Sequence, residues 1–254
     1  MRRHDWTGFA ALAAMLAAPY AAFRLGAVAG LALSALAVLL LVLTRYFSLK
    51  YPGPMPHILR WTLLLPRGNH TPEKLVRVLR PKRGERILEI GPGTGIHAVR
   101  VAAALEPGGS VDAIDVQQAM LNDVMRRANE ARLENVHVRR ASASRIPFPD
   151  HTFDAAYLIG VLGELRNGAA AMRELRRVLK PNARLVIGEV LFDPDYVRLS
   201  ALKKRAGAAG FRFDKKLGGS VSYLARFRSP PRERGTATVL APIDEEAEPA
   251  AATG

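Results

Sequence analysis

The sequence predicts an α/β fold, a parallel sheet with helices on both faces, preceded by a pair of apolar helices. Three observations predict it. Apolar, strand-like runs alternate with amphipathic helical segments from residue 70 onward, a glycine-rich turn follows the first of these runs, and residues 6–43 carry a single charge, Arg24. Strands that alternate with helices form parallel sheets because each crossover helix returns the chain to the same edge.

The N-terminal stretch comes first. As one continuous helix its 38 residues would reach about 57 Å, nearly twice the roughly 30 Å hydrocarbon core of a bilayer. It must therefore break. Pro19 and Arg24 mark the break, giving arms over residues 6–22 and 25–43, the second long enough to cross a bilayer. A transmembrane helical hairpin over residues 1–50 would put Arg2, Arg3, Arg45 and Lys50 on one side and Arg24 alone on the other. By the positive-inside rule both flanks, and everything after them, then face the cytoplasm at the cell membrane. Asp5 and the second long span argue against a cleaved signal peptide. The lack of a polar face argues against a helical pair buried in a soluble core.

Residues 51–70 read as a linker and interfacial segment. Pro52, Gly53, Pro54 and Pro56 stiffen its start, and the apolar run over residues 58–65, with Arg60 and Trp61, suits a membrane interface. A helix opens at Thr71, a favoured N-cap, with Pro72 at its first position. Leu75, Val78 and Leu79 form its apolar face, and residues 81–84 end it. Strands follow over residues 87–90, 111–114, 136–138, 153–159 and 184–190. Between them, Val116, Met120, Val124 and Ala128 mark one helix face, and Met172, Leu175, Val178 and Leu179 another. Two late strands over residues 211–216 and 220–228 join through Leu217-Gly-Gly219, and the proline-rich, acidic stretch over residues 229–254 reads as a disordered tail.

The turn after the first strand carries the chemistry. Residues 87–95 read Ile-Leu-Glu-Ile-Gly-Pro-Gly-Thr-Gly. Glycines allow positive φ and let a ligand approach the backbone where a Cβ would collide. The spacing is G-x-G-x-G, and the third glycine position of the dinucleotide fingerprint G-x-G-x-x-G is taken by Ile96. Glu89, ending the strand, would repel a pyrophosphate but can accept hydrogen bonds from an ammonium group. A cationic ligand without phosphate, such as S-adenosylmethionine, fits.

The chain resembles the class I S-adenosylmethionine-dependent methyltransferases, the UbiE-like group above all. Four segments carry the resemblance: Glu89-Ile-Gly91-Pro-Gly93-Thr-Gly95; Val111-Asp-Ala-Ile-Asp115, a strand ending in an acid; Ile146-Pro-Phe-Pro-Asp-His-Thr-Phe-Asp154 with the strand after it; and Met172-Arg-Glu-Leu-Arg-Arg-Val-Leu-Lys-Pro181 with the strand after that. The resemblance implies a Rossmann-like, doubly wound, seven-stranded sheet, mostly parallel with the last strand antiparallel. It makes residues 71–228 the methyltransferase domain and S-adenosylmethionine the cofactor. It implies a site formed by Glu89, Gly91, Gly93 and Gly95, with Asp115 at the ribose, Val116 next to it, Ser142 near the adenine and Ile159 at the end of the fourth strand. The chain departs from the group in two places. Ala141-Ser-Ala143 lacks the acid that many relatives place beside the adenine, and Val161-Leu-Gly163-Glu164 lacks the histidine that many carry after the fourth strand.

Composition narrows the partners. Without cysteine there are no disulfides, thiolate metal sites or cysteine nucleophiles, and no metal is expected. The formal net charge is +14, carried by residues before the acidic tail, which suits an anionic bilayer surface. The basic residues are scattered, without the aromatic interleaving of a single-strand nucleic-acid face. The expected partners are therefore the lipid bilayer and a small-molecule, quinone-like or lipid acceptor. The alternatives are an RNA- or soluble-substrate methyltransferase tethered to the membrane, or a noncatalytic cofactor-binding protein. His57, His70, Tyr157 and Glu164 lie where an acceptor would approach, and the sequence selects none of them as catalytic.

Overall fold

The computed structural model describes residues 17–19, 26–50, 53–58, 68–191 and 193–231. Their elements run α1 (Ala27–Lys50), α2 (Pro72–Leu79), β1 (Arg86–Ile90), α3 (Ile96–Leu105), β2 (Ser110–Asp115), α4 (Gln118–Glu130), β3 (Val136–Arg140), β4 (Phe153–Ile159), a one-turn helix (Leu162–Glu164), α5 (Gly168–Val178), β5 (Leu179–Val190), α6 (Leu199–Ala208), β6 (Arg212–Gly218) and β7 (Ser222–Arg228).

The seven strands form one sheet in the order β3-β2-β1-β4-β5-β7-β6. β1 to β5 are parallel to one another, and β7 is antiparallel to both of its neighbours, β5 and β6. The last strand is thus the one reversed, as expected. Strand residues alternate between two apolar layers. Ile87, Val111 and Ala155 pack with Leu75, Leu79, Val101 and Val124 from α2, α3 and α4. Leu88, Ile114 and Leu158 pack with Met172, Leu175 and Leu202 from α5 and α6 on the other face. Strands covered on both sides are apolar nearly throughout, which is why β1 after its exposed first residue, Arg86, reads as an apolar run broken only by Glu89. β6 is the exposed edge, and Lys215 and Lys216 on it discourage pairing with another chain.

Local signals hold where they are short-range. Thr71 accepts a hydrogen bond from the Lys74 amide at 3.3 Å, with Pro72 at the first helical position, and α2 ends at Arg80 in a left-handed turn. Two expectations change. Leu179 belongs to β5 and not to the preceding helix face: it pairs with Phe153 across the bulged start of β4. Val116 precedes α4 and is 44% exposed, while Met120, Val124 and Ala128 are buried. Its spacing matches the face, but the chain turns at residues 116 and 117 before the helix begins.

Of the expected hairpin, the structure describes α1 and a helical turn at residues 17–19; the rest of the first arm lies outside the described residues. The second arm is longer than expected, continuing to Lys50. Its apolar part, Ala27–Phe47, has a mean hydropathy of 2.6, with 11% of its most apolar window buried. At about 1.5 Å per residue these 21 residues match the hydrocarbon thickness of a bilayer. Ile58 is exposed; the remainder of the interfacial run and the tail from residue 232 lie outside the described residues.

Candidate cofactor site

The strand order turns back between β1 and β4, where chain connections leave in opposite directions and a crevice opens at the carboxyl ends. A cavity of about 640 Å³ occupies this place. Gly91 and Gly93 line it from the turn after β1, Glu89 from the end of β1, Asp115 and Val116 from the end of β2, Ser142 from the loop after β3, and Ile159 from the end of β4. Residues far apart in the chain converge because each stands at the same end of a parallel strand.

The glycine spacing has a backbone cause. Gly91, Gly93 and Gly95 have φ of 65, 55 and 80°, so every second residue of the turn sits in the left-handed region, where side chains are strained. The Gly91 amide donates to Ile114 at 2.9 Å and the Gly95 amide to Pro92 at 2.9 Å, which closes the turn. A Cβ on Gly91 would lie 2.5 Å from Val161 Cγ2. Gly95 departs from expectation: it does not line the cavity. It caps α3, and a Cβ there would meet Val124 Cα at 2.9 Å. The third glycine lets α3 and α4 approach each other, so its contribution to the site is through packing.

Glu89 is the electrostatic centre of the site. It is 2% exposed and Oε2 has no hydrogen-bond partner among the described residues. β1 pairs with β4 so that Glu89 stands beside Tyr157 on the same face. Burial pushes the Glu89 carboxyl up to about 8; the Tyr157 hydroxyl partly offsets this and the Asp115 charge adds to it. A buried carboxylate with an orphaned oxygen stores unfavourable energy that a cation can relieve.

Asp115 accepts a hydrogen bond from the Gln117 amide at 2.8 Å, and burial raises its carboxyl above the usual range. It does not cap α4, whose N-cap is Gln117. The carboxylate at the cavity wall suits a pair of hydroxyl donors. Asp115→Ala is expected to weaken S-adenosylmethionine binding about tenfold to a hundredfold, at roughly 1.5–3 kcal/mol per charged hydrogen bond lost. Calorimetric titration checks this, and unchanged affinity would remove Asp115 from the site. Ser142 is exposed and its hydroxyl already pairs with that of Ser144 at 2.8 Å.

Sequence reading missed a strap over the cavity. Pro54 and Met55 line it; Gln117 Nε2 donates to the Met55 carbonyl at 2.9 Å, and the Met55 amide donates to Glu164 Oε2 at 3.2 Å. His57 Nε2 lies 2.8 Å from Asp123 Oδ2 on α4. The prolines signalled only a stiff linker; backbone contacts between residues 62 and 109 apart in sequence leave no sequence pattern. The four acceptor-side residues now separate. His57 is tied into the strap, His70 Nε2 lies 3.3 Å from the Tyr223 carbonyl, and Tyr157 is buried in the sheet beside Glu89. Glu164 lines the cavity, its carboxyl raised well above the usual range by burial, with the charges of Asp193, Asp195 and Asp115 adding to the effect. Among the described residues no group of three or more metal-ligating side chains comes together.

Residues 87–182 match the methyltransferase-domain family. The chain is 39% identical over 119 residues to a demethylmenaquinone methyltransferase of Clavibacter sepedonicus, covering 46% of each. It is 32% identical over 143 residues to the ubiquinone/menaquinone biosynthesis C-methyltransferase UbiE of Vibrio vulnificus, covering 55% of this chain and 52% of that one. The chain thus spans about half the length of the curated relatives it matches. In fold it is similar to an S-adenosylmethionine-dependent methyltransferase of Aquifex aeolicus, with a TM-score of 0.63 at 24% identity over 69% of this chain and 99% of that one. The [4+2]-cyclase SpnF, at a TM-score of 0.58 and 20% identity over 64% of this chain and 81% of that one, shares the fold too. The architecture by itself therefore does not select a reaction.

Proposed function

Because the chain carries a class I S-adenosylmethionine-dependent methyltransferase domain, we propose that it transfers a methyl group to a small-molecule acceptor of quinone-like or lipid character at the cytoplasmic surface of a membrane. The observation that carries the first half is the cavity. A left-handed glycine turn, a strand-end acid and an orphaned buried carboxylate meet at one sheet edge.

The residues present fit S-adenosylmethionine. Glu89 offers its unpartnered oxygen to an ammonium group, Asp115 faces the cavity for the ribose hydroxyls, and the positive-φ backbone at Gly91 and Gly93 leaves room that a Cβ would fill. Val116 and Ile159 supply apolar walls for the adenine and the carbon chain, and Ser142 lies at the adenine end. When bound, the cofactor supplies an electrophilic methyl group on a positively charged sulfur. The protein's own contribution is alignment and exclusion of water, because the leaving group is already a good one. Pro54 and Met55 of the strap line the cavity.

The relatives named for menaquinone and ubiquinone biosynthesis support the acceptor class. Three features support the membrane. The apolar part of α1 has the length and hydropathy of a span, Arg2 and Arg3 precede the apolar stretch while Arg45 and Lys50 follow it, which a hairpin would bring to one side, and Arg45 Nη1 donates to the Pro194 carbonyl at 2.9 Å, joining the end of α1 to the loop after β5. Anchoring beside the bilayer raises the local concentration of a bilayer-dissolved acceptor.

The test is incubation of bacterial membranes with methyl-labelled S-adenosylmethionine and the purified full-length protein, followed by separation of lipid, quinone, protein and RNA. Label is expected in the quinone or lipid fraction; label in RNA or protein, or in none, overturns the proposal. Removal of residues 1–43, which keeps Arg45, is expected to leave cofactor affinity within about threefold and to lower turnover on vesicles at least about tenfold. Equal turnover on vesicles would refute the membrane acceptor.

A further inference from the structure

The cavity has two halves. Asp115, Val116 and Ser142 stand at the ends of β2 and β3, and the glycine turn at the end of β1. Beyond β4 the cavity is walled by the one-turn helix Leu162–Glu164, with the loop after β5 packed behind that helix, and the strap spans the two sides through Met55, bonded to Glu164 on one and Gln117 on the other. A Cβ on Gly163 would fall 2.0 Å from the Asp195 carbonyl, so the absence of a side chain there lets the helix and the loop touch. That close approach fixes where the neighbouring Glu164 stands.

Six titratable side chains line the cavity among the described residues: His70, Glu89, His97, Asp115, Glu164 and Arg166. His70 and His97 are buried, with Nε2 held at the Tyr223 carbonyl and at the His70 carbonyl, 3.3 and 2.8 Å away. Glu89 and Asp115 belong to the donor half. Arg166 is a permanent cation that cannot take a proton. Glu164 is left, on the side of the cavity beyond β4.

We propose that Glu164 is the catalytic residue that takes the proton of the methyl acceptor, which is therefore a nucleophile bearing an acidic proton: a phenol, an activated carbon acid or an ammonium. The inference rests on the methyltransferase reading. In the step, the acceptor's bond to hydrogen breaks and its proton passes to Glu164 as the freed electron pair forms the bond to the methyl carbon. The electron pair of the carbon–sulfur bond stays on sulfur, leaving a neutral thioether, the methylated acceptor and protonated Glu164. One carboxylate oxygen is oriented by the Met55 amide at 3.2 Å, so the strap aims the base. The groups that act on Glu164 are Asp193 and Asp195 on the loop after β5, Asp115 at the end of β2 and that Met55 amide; burial is the largest influence. Burial and the three carboxylates hold its proton affinity above that of an ordinary glutamate, which makes its ionised form a stronger base.

The test compares full-length wild type with Glu164→Gln and Glu164→Asp in the labelled-membrane assay, alongside cofactor titration and thermal melts. The result expected for Glu164→Gln is a fall in kcat of about 10²- to 10⁴-fold with cofactor Kd within threefold and an unchanged melt near pH 5. Wild-type single-turnover rate should rise with pH and level off, because the base acts only when deprotonated. Glu164→Asp should keep a displaced acid limb and part of the rate, and Glu164→Gln should lose that limb. A retained rate above one third of wild type, or a loss of cofactor affinity equal to the loss of rate, overturns the assignment. So does loss of activity in Glu164→Asp with no change in its pH limb, the mark of a purely structural role. Wild type that binds cofactor but labels no fraction removes the methyltransferase reading itself, and this inference with it.

Discussion

Gly91→Val is expected to reduce S-adenosylmethionine affinity at least about a hundredfold and to lower the melting temperature by several degrees. Two costs combine. Gly91 sits at φ 65°, a region that costs an L-residue about 1–2 kcal/mol and a β-branched one more. The new Cβ would also lie 2.5 and 3.0 Å from the two methyl groups of Val161, so either Val161 or the turn must move, and both form the cavity wall. Gly84→Ala is the control. It too has a positive φ, 77°, but open space around it, so it should cost about 1 kcal/mol of stability and leave binding alone. Calorimetric titration and circular-dichroism melts of the two variants separate backbone strain from loss of the site. Wild-type affinity in Gly91→Val would refute the placement of the cofactor.

Glu89→Gln is expected to make the protein more stable at pH 8 and to weaken cofactor binding sharply. The sign follows from the carboxyl being pushed up to about 8. Below the ordinary glutamate value near 4.5 both folded and unfolded chains are protonated there, and the group contributes nothing. Between 4.5 and 8 the unfolded chain ionises first, so the wild type loses stability as pH rises, by up to about 1.4 kcal/mol per unit. By pH 8 the sum is on the order of 3–5 kcal/mol, and a glutamine, which carries no charge to bury, avoids it. Glu189 is also pushed up to about 8, mainly by burial, and keeps its slope in both proteins, so the difference between them reports Glu89. Denaturant titrations at pH 4, 6 and 8 should show the two stabilities nearly equal at pH 4 and diverging above; a constant difference across the range would refute it.

The same carboxyl makes binding pH-dependent. Below pH 8 it is mostly protonated in the free protein, and a ligand ammonium favours its ionised form, so binding releases a proton. Affinity should therefore rise between pH 6 and 7.5, below the range near 8 where an α-amino group itself loses its proton. Glu89→Gln should abolish that rise. A residue that destabilises the fold and serves the ligand is a familiar arrangement at binding sites.

Much of the donor half was legible in order along the chain. The spacing of Gly91 and Gly93 reports backbone φ directly, since few side chains tolerate the left-handed region, and an acid at a parallel strand's end can only face the sheet's carboxyl edge. Gly95 misled because one residue type serves two needs: its neighbour at close range is Val124, 29 positions away, and spacing does not reveal packing between helices. Val116 misled for a related reason, since helical spacing persists for a residue or two beyond the helix itself. The acceptor half was legible only as four candidates of equal standing.

By itself, then, the sequence determined the alternation of strand and helix, the glycine turn, the acid at the second strand's end and the apolar stretch before them. All are encoded by residues near one another in the chain, through backbone preference and apolar periodicity. Only the tertiary structure decided that Gly95 packs helices, that Met55 straps the cavity, and that Glu164 lines it under the influence of Asp115, Asp193 and Asp195 while His57 pairs with Asp123 and Tyr157 is buried in the sheet beside Glu89. Those outcomes depend on which distant segments meet once the sheet has formed, and on how far burial shifts a carboxyl, quantities that belong to three-dimensional contact and leave no periodic mark in the chain.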